Sequence, residues 1–274
     1  MAQALVLGLV SQPMAQANAA QITVIEPAEA ARVSLEEQAG PLAWAGGTLL
    51  RVTTLDGLDS DAAPPDWLVL AVKPQVASAA LEGLRAVHPR WVEESTLLSI
   101  AAGIPSERLA NWVGHRNLVR SMPNTPALIG KGISALFATA SVSEARRAEA
   151  EALLRAVGEV LWLASESQLD AVTALSGSGP AYCFLLAEAM SQAGIDMGLS
   201  PEQADLLTRC TLEGAGQLLA SSTESAETLR TRVTSPGGTT AAAIAVFERE
   251  GFRALVGRAL RAARDRSEAI SKGL

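Results

Sequence analysis

Between residues 21 and 165, short apolar runs alternate with amphipathic stretches. The runs cover residues 22–25, 49–53, 67–72, 97–101, 118–120, 133–138 and 160–163, and helical spacing occupies 28–39, 75–87, 105–113 and 143–157. Nearly uninterrupted apolar runs are the signature of strands buried on both faces. Strand followed by helix, repeated this way, predicts a mostly parallel sheet covered on both sides, which takes ligands at the carboxyl ends of its strands. After Ser165 the period changes: residues 178–194, 201–220, 224–233, 239–249 and 252–272 all read as helices and no strand-like run remains. Ser200-Pro201-Glu202 supplies an N-cap, a first-turn proline and an early acid, and Gly194 and Gly251 are expected at helix ends. The pattern therefore predicts an α/β domain over residues 1–165 and an all-α domain over 166–274. Leu206, Leu207, Leu212, Leu218 and Leu219 on one long helix offer more apolar face than a small bundle needs, so part of it is expected to meet another subunit.

Composition narrows the function. With 274 residues, 49% hydrophobic and 19% charged, the chain has enough apolar surface for a substantial core. Its formal charge of −7, with no Lys/Arg run, gives no electrostatic footprint for nucleic acid. Cys183 and Cys210 show no metal-ligand spacing and sit in apolar helical patterns, which predicts buried thiols in a reducing compartment and no metal site. No stretch reaches about 18 apolar residues, so no membrane partner is expected. The apolar start and the Ala17-Asn18-Ala19 step imitate a secretory signal, but no Lys or Arg precedes the apolar run; a cytoplasmic location is expected.

Four polar loops could carry chemistry. Val69-Leu70-Ala71-Val72-Lys73-Pro74-Gln75 is a buried strand that ends in Lys-Pro, where a parallel sheet presents its loops; a merely solvated lysine is the alternative. Ser121-Met122-Pro123-Asn124-Thr125-Pro126 follows another strand, and its two prolines stiffen the loop before any ligand arrives. Ser176-Gly177-Ser178-Gly179-Pro180 joins the two halves as a hinge and helix start. Thr234-Ser235-Pro236-Gly237-Gly238-Thr239-Thr240 opens a helix, where free N–H groups and the positive dipole end suit a carboxylate or phosphate; simple capping is the alternative. His88 and His115 lie away from these loops and are expected at the surface, so no general base stands out.

The segments VLAVKPQ, SIAAGIP, RSMPNTPA, ALSGSGPAY and RVTSPGGTT, in this order and spacing, resemble those of the pyrroline-5-carboxylate reductase family. The resemblance implies a Rossmann-like domain followed by a helical dimerisation domain, a homodimer or an assembly of dimers, and reduction of 1-pyrroline-5-carboxylate to L-proline with NADPH or NADH. It also implies that Ala71, Val72, Lys73 and Pro74, with Met122, Pro123 and Asn124, border the cofactor, and that Ser235, Gly238, Thr239 and Thr240 hold the substrate, Thr240 as the catalytic residue beside the ring.

The residues agree with that chemistry. Hydride addition to a protonated C=N needs a positioned electrophilic carbon and no base. A hydroxyacid dehydrogenase, the competing enzyme class, places a lysine four residues after the second glycine of its Gly-x-Gly turn; here that step leads from Gly179 to Cys183. Glu26, at the end of the second strand of the dinucleotide fold, can accept hydrogen bonds from an unphosphorylated ribose, which predicts a preference for NADH, although Arg32 stands near enough to receive a 2′-phosphate. The N-terminus departs from the pattern. Met1-Ala2-Gln3-Ala4-Leu5 resembles the family's first helix just after the Gly-rich turn, with Gly8 and Leu9 at that helix's end. The first strand and its turn are thus expected to be missing, leaving two neighbouring strands unpaired. A start codon assigned one helix too late is one explanation; a real truncation that yields a non-catalytic Rossmann protein is the other.

Overall fold

The computed structural model describes residues 1–11, 21–59 and 61–273; Ala17 and Ala19 lie outside the described residues. The chain divides into two compact units, Met1–Ser178 with Ala263–Leu274, and Gly179–Ala262.

The first unit runs α1 (Ala2–Val10), β1 (Gln21–Ile25), α2 (Glu29–Gly46), β2 (Leu49–Thr53), β3 (Trp67–Leu70), α3 (Ala77–Val87), α4 (Pro89–Glu94), β4 (Thr96–Ser99), α5 (Ser106–Val113), β5 (Leu118–Met122), β6 (Gly132–Ala138), α6 (Glu144–Arg155), β7 (Gly158–Trp162) and α7 (Gln168–Val172). A five-residue π-helical turn, Thr173–Gly177, continues α7. β1 and β2 form a two-stranded parallel sheet; β3 to β7 form a five-stranded sheet in sequence order, parallel except where β6 runs against β5. In the doubly wound order 3-2-1-4-5-6, β2 and β1 take the places of strands 3 and 2, and β3, β4 and β5 those of strands 4, 5 and 6. Among the described residues, β1 and β3 each pair on one side only, and their side chains are half-buried except for exposed Gln21 and buried Leu70, where those of β4 are all buried.

The ALVLGLV segment is helix α1, and it packs on both sheets. Ala4 and Leu5 join a core with Leu98, Val119 and Leu136, while Val6 and Val10 join Leu35, Ala39 and Ala43 of α2. Gly8, expected at the helix end, lies inside α1 because it is a point of close approach: a Cβ there would stand 2.5 Å from Val157 Cγ1 and 2.7 Å from the Ala156 carbonyl oxygen. Helix α2 runs past the expected end at Ala39 and through Pro41. A proline removes a hydrogen bond and crowds the preceding turn, but burial of Leu35, Ala39 and Ala43 along one face, on both sides of Pro41, outweighs that cost.

His88 corrects a second expectation. It is 4% exposed and stacks on Trp91 at 4.8 Å between ring centroids, because Pro89 starts α4 immediately after α3 and folds the chain back over the imidazole. His115 is half-buried, its Nε2 3.0 Å from the Val92 carbonyl oxygen.

The second unit contains α8 (Gly179–Asp196), α9 (Pro201–Ser221), α10 (Ala226–Arg232), α11 (Thr239–Arg249) and the first part of α12 (Phe252–Gly273). Ser200 is the N-cap of α9, as the sequence predicts, and it completes a capping box with Gln203. Gly194 lies inside α8 instead of ending it: its buried Cα lets α9 approach, with Ala204 Cβ 3.2 Å from where a Cβ would stand, and Gly198 at φ +99° ends the helix region. Among the described residues of this unit only Gly194, Ala204 and Thr208 are buried. Phe184, Leu185, Leu206, Leu207, Leu218 and Leu219 are each at least half exposed. For the same reason Cys183 and Cys210, expected to be buried, are exposed: the helices carry apolar faces that nothing among the described residues covers.

Candidate active site

Each unit holds one set of the residues singled out above. In the first, β3, β4 and β5 are parallel neighbours, with Leu70 opposite Ser99 and Ser99 opposite Arg120. Their carboxyl ends share one sheet edge, the place where open α/β sheets take ligands. Ala71, Val72, Lys73 and Pro74 leave β3 at this edge, Lys73 exposed and Pro74 opening a 3₁₀ turn. Met122 ends β5, and Pro123 and Asn124 follow it. The Asn124 loop is fixed from within: its Oδ1 accepts from the Ile133 amide at 2.9 Å, and the Ala127 amide donates to its carbonyl at 3.1 Å. Between the two loops runs the exit of β4, Ile100-Ala101-Ala102-Gly103, with Gly103 at φ +75°. These residues belong to the same edge, although only the SIAAGIP resemblance pointed to them.

At the end of β1, Glu26 is half-buried. Its Oε1 accepts from the Ala28 amide at 2.9 Å, and the Arg32 guanidinium donates to the carbonyls of Glu26 at 2.9 Å and Pro27 at 2.8 Å. Arg32 is thereby held beside Glu26 by backbone oxygens, leaving the second carboxylate oxygen without a partner among the described residues.

Behind the edge lies a charged cluster that local sequence pattern does not reveal. Glu166, just before α7, accepts from the Ser106 amide and hydroxyl at 2.6 Å each and from Arg120 at 2.6 Å. Burial alone would raise this carboxyl's pKa, but the Ser106 hydroxyl, Arg120 and the Ser106 amide outweigh it and hold the group below the ordinary carboxylate range.

In the second unit, the turn before α11 presents the other set. Gly237 at φ +72° turns the chain, the Gly238 amide donates to the Ser235 carbonyl at 3.0 Å, and Gly238 is the N-cap of α11 with no side-chain cap. Thr234 spends its hydroxyl on the Arg230 carbonyl. Among the described residues nothing partners the hydroxyls of Ser235, Thr239 or Thr240, so three hydroxyls stand beside the unpaired first-turn amides of an 11-residue helix. In the Ser176-Gly177-Ser178-Gly179-Pro180 segment the π-helical turn ends at Gly177, Ser178 is a bend, and α8 starts at Gly179 with Pro180 in its first turn.

Parallel strands whose exit loops gather at one edge, followed by a helical unit whose apolar faces stay open, fit the dinucleotide-binding class of α/β proteins. Comparison with known proteins is more specific. Residues 166–270 match the family model for pyrroline-5-carboxylate reductase dimerisation. A pyrroline-5-carboxylate reductase of Pseudomonas aeruginosa is 50% identical over 224 residues, covering 80% of this chain and 81% of the relative. The structure of a pyrroline-5-carboxylate reductase from Coxiella burnetii superposes with a TM-score of 0.83 at 36% identity, covering 98% of this chain and 94% of that one. A pyrroline carboxylate reductase of Plasmodium falciparum, solved with NADP bound, gives 0.73 at 27% identity over 98% of this chain and 95% of that one. The chain belongs to the pyrroline-5-carboxylate reductase family.

Proposed function

We propose that this chain reduces 1-pyrroline-5-carboxylate to L-proline, with residues 1–165 binding the dinucleotide and residues 166–274 binding the substrate and forming the dimer. The observation that carries the reading is the turn before α11, where unpaired amides and the hydroxyls of Ser235, Thr239 and Thr240 meet a Gly-Gly backbone that a small ring can approach closely.

The strand-end loops fit a dinucleotide: they share an edge, the Asn124 loop is held by its own hydrogen bonds, and small or compact residues, Ala71, Pro74 and Pro123, leave the backbone approachable. When bound, the reduced dinucleotide supplies the hydride. The protein's part is to hold the acceptor. The α11 amides and the Ser235 and Thr239 hydroxyls receive the substrate carboxylate, which the helix dipole favours. Gly238 lets the ring lie against the backbone, and the Thr240 hydroxyl stands at the ring as a donor or acceptor for its nitrogen. The substrate nitrogen already carries the activating proton, so no side chain has to remove or deliver one before hydride arrives at the imine carbon. The site therefore works through orientation, consistent with the absence of a histidine from either set of loops.

The open faces of α8 and α9 are those of a homodimer built from the helical half, and exposed free thiols suit a reducing cytoplasm. No helix among the described residues is long and apolar enough to cross a membrane. The test is oxidation of NADH and NADPH by the purified 274-residue chain with and without 1-pyrroline-5-carboxylate. Turnover that depends on this substrate and yields proline is the expected result. Failure of the folded chain to oxidise either dinucleotide would leave the non-catalytic reading.

A further inference from the structure

We propose that Glu166 is a positioning residue for the dinucleotide half of the site: its carboxylate sets the spacing of the two strand-exit loops that follow β4 and β5. The inference rests on the assignment of that sheet edge to the dinucleotide.

Three connections meet on this carboxylate. Ser106 is the first residue of α5, immediately after the β4 exit, and gives Glu166 both its amide and its hydroxyl. Arg120 lies in β5, two residues before Met122, and gives Oε1 a charged hydrogen bond. Glu166 itself leads into α7. Arg120 is 11% exposed and Glu166 28%, and Glu166 is the sole partner of the guanidinium among the described residues. A nearly buried cation on the strand that feeds the Met122-Pro123-Asn124 loop thus has one counter-charge, and that same group ties down the β4 exit. At the far end of the α7 segment the contact with β5 repeats: a Cβ on Gly177 would stand 2.4 Å from Met122 Cε. The segment is pinned on β5 beside Arg120 and again beside Met122, so displacing Glu166 moves the edge on which the dinucleotide lies.

Removing the charge while keeping the shape separates this role from bulk packing. In Glu166→Gln the amide can still accept from Ser106, but Arg120 loses its counter-charge. The expected result is a rise of about tenfold or more in the Kd of NADH and NADPH, measured by calorimetry without substrate, and a matching rise in their KM. The KM for 1-pyrroline-5-carboxylate is expected to stay within about twofold, because its loop belongs to the other unit. Glu166→Asp, one methylene shorter with the charge kept, should fall between. The double variant Arg120→Gln/Glu166→Gln, a neutral amide pair, should recover most of the dinucleotide affinity lost by Glu166→Gln alone.

Unchanged dinucleotide Kd in a folded Glu166→Gln variant would overturn the proposal. So would equal losses for dinucleotide and imine that follow thermal stability and are not recovered in the double variant. Binding without turnover in the parent chain would refute the assigned reaction and leave the positioning role testable by Kd. A parent chain that binds neither dinucleotide would overturn both.

Discussion

Gly158 and Gly132 stand directly opposite one another where β7 and β6 begin, so close that a Cβ on Gly158 would lie 1.9 Å from the Gly132 carbonyl oxygen. Gly158 also has φ +146°, outside the range of L side chains. On its other side, a Cβ on Gly132 would meet Ala127 at 2.9 Å. The next amide, Ile133, is the one that holds Asn124. This glycine pair lets a strand start pass directly beneath the Asn124 loop. Gly158→Ala must move backbone against backbone, and its expected cost is about 2–4 kcal/mol. A lower midpoint in denaturant with an unchanged slope is the check.

The same loop has an electrostatic anchor with a predictable pH signature. The folded-state pKa of Glu166 is depressed, so the stabilisation it confers is fully present above the ordinary carboxylate pKa and is lost as pH falls through the depressed value. Glu166→Gln should be less stable than the parent at neutral pH by on the order of 1–3 kcal/mol, and the gap should close under acid conditions. Denaturation midpoints of both proteins at neutral and strongly acidic pH decide it; a gap independent of pH would contradict the assignment.

How much of this was legible in the sequence depends on how far apart the partners are. Strands β1 to β7 show as short apolar runs, most completely at β4, which is buried on both faces, and the α11 turn shows as a local cluster of glycines and hydroxyls. Glu166 was invisible because its partners lie 60 and 46 residues away. The short α7 and the π turn that follows it, 168–177, escaped for a related reason: they are held by β5 and β6 rather than by their own periodicity. His88 looked solvated because it lies just past the 75–87 helical pattern and away from the polar loops, yet the α3–α4 reversal encloses it. In the other direction, Cys183 and Cys210 looked buried because periodicity reports an apolar face without saying which chain covers it.

The hydroxyls before α11 make separable contributions. Thr240→Val removes the group assigned to the ring and Ser235→Ala one assigned to the carboxylate. Each is expected to lower kcat/KM by about 5–150-fold, on the order of 1–3 kcal/mol, with the fold intact because neither hydroxyl serves another of the described residues. Steady-state kinetics with circular dichroism as a folding control checks this, and parent-like activity in both variants would remove the loop from the site.

Cofactor choice turns on Glu26 and Arg32. One Glu26 oxygen is spent on the Ala28 amide and the other is open to a ribose hydroxyl, while Arg32 is engaged by two carbonyls. NADH is therefore expected to be used more efficiently than NADPH, and Glu26→Gln to narrow the difference by relieving repulsion of a 2′-phosphate. The ratio of kcat/KM for the two dinucleotides measures it; a clear preference for NADPH in the parent would show that Arg32 leaves its carbonyls to take the phosphate.

The helical unit sets the last expectation. Its buried residues among those described are Gly194, Ala204 and Thr208, too small to supply a core, while Phe184, Leu185, Leu206, Leu207, Leu218 and Leu219 remain open. Fully burying a leucine or phenylalanine side chain contributes about 1.5–3 kcal/mol, so covering what these six leave open is worth an amount comparable to the whole stability of an ordinary domain. A second copy would offer the same faces and could close the surface by two-fold symmetry. Sedimentation is expected to show a species at least twice the 28.4 kDa of the chain, whose melting temperature rises with protein concentration. Leu206→Glu, placing a charge on the open apolar face of α9, should shift the protein to an unfolded or inactive monomer. An active 28.4 kDa monomer at assay concentration would mean that these faces are covered by something other than a second copy.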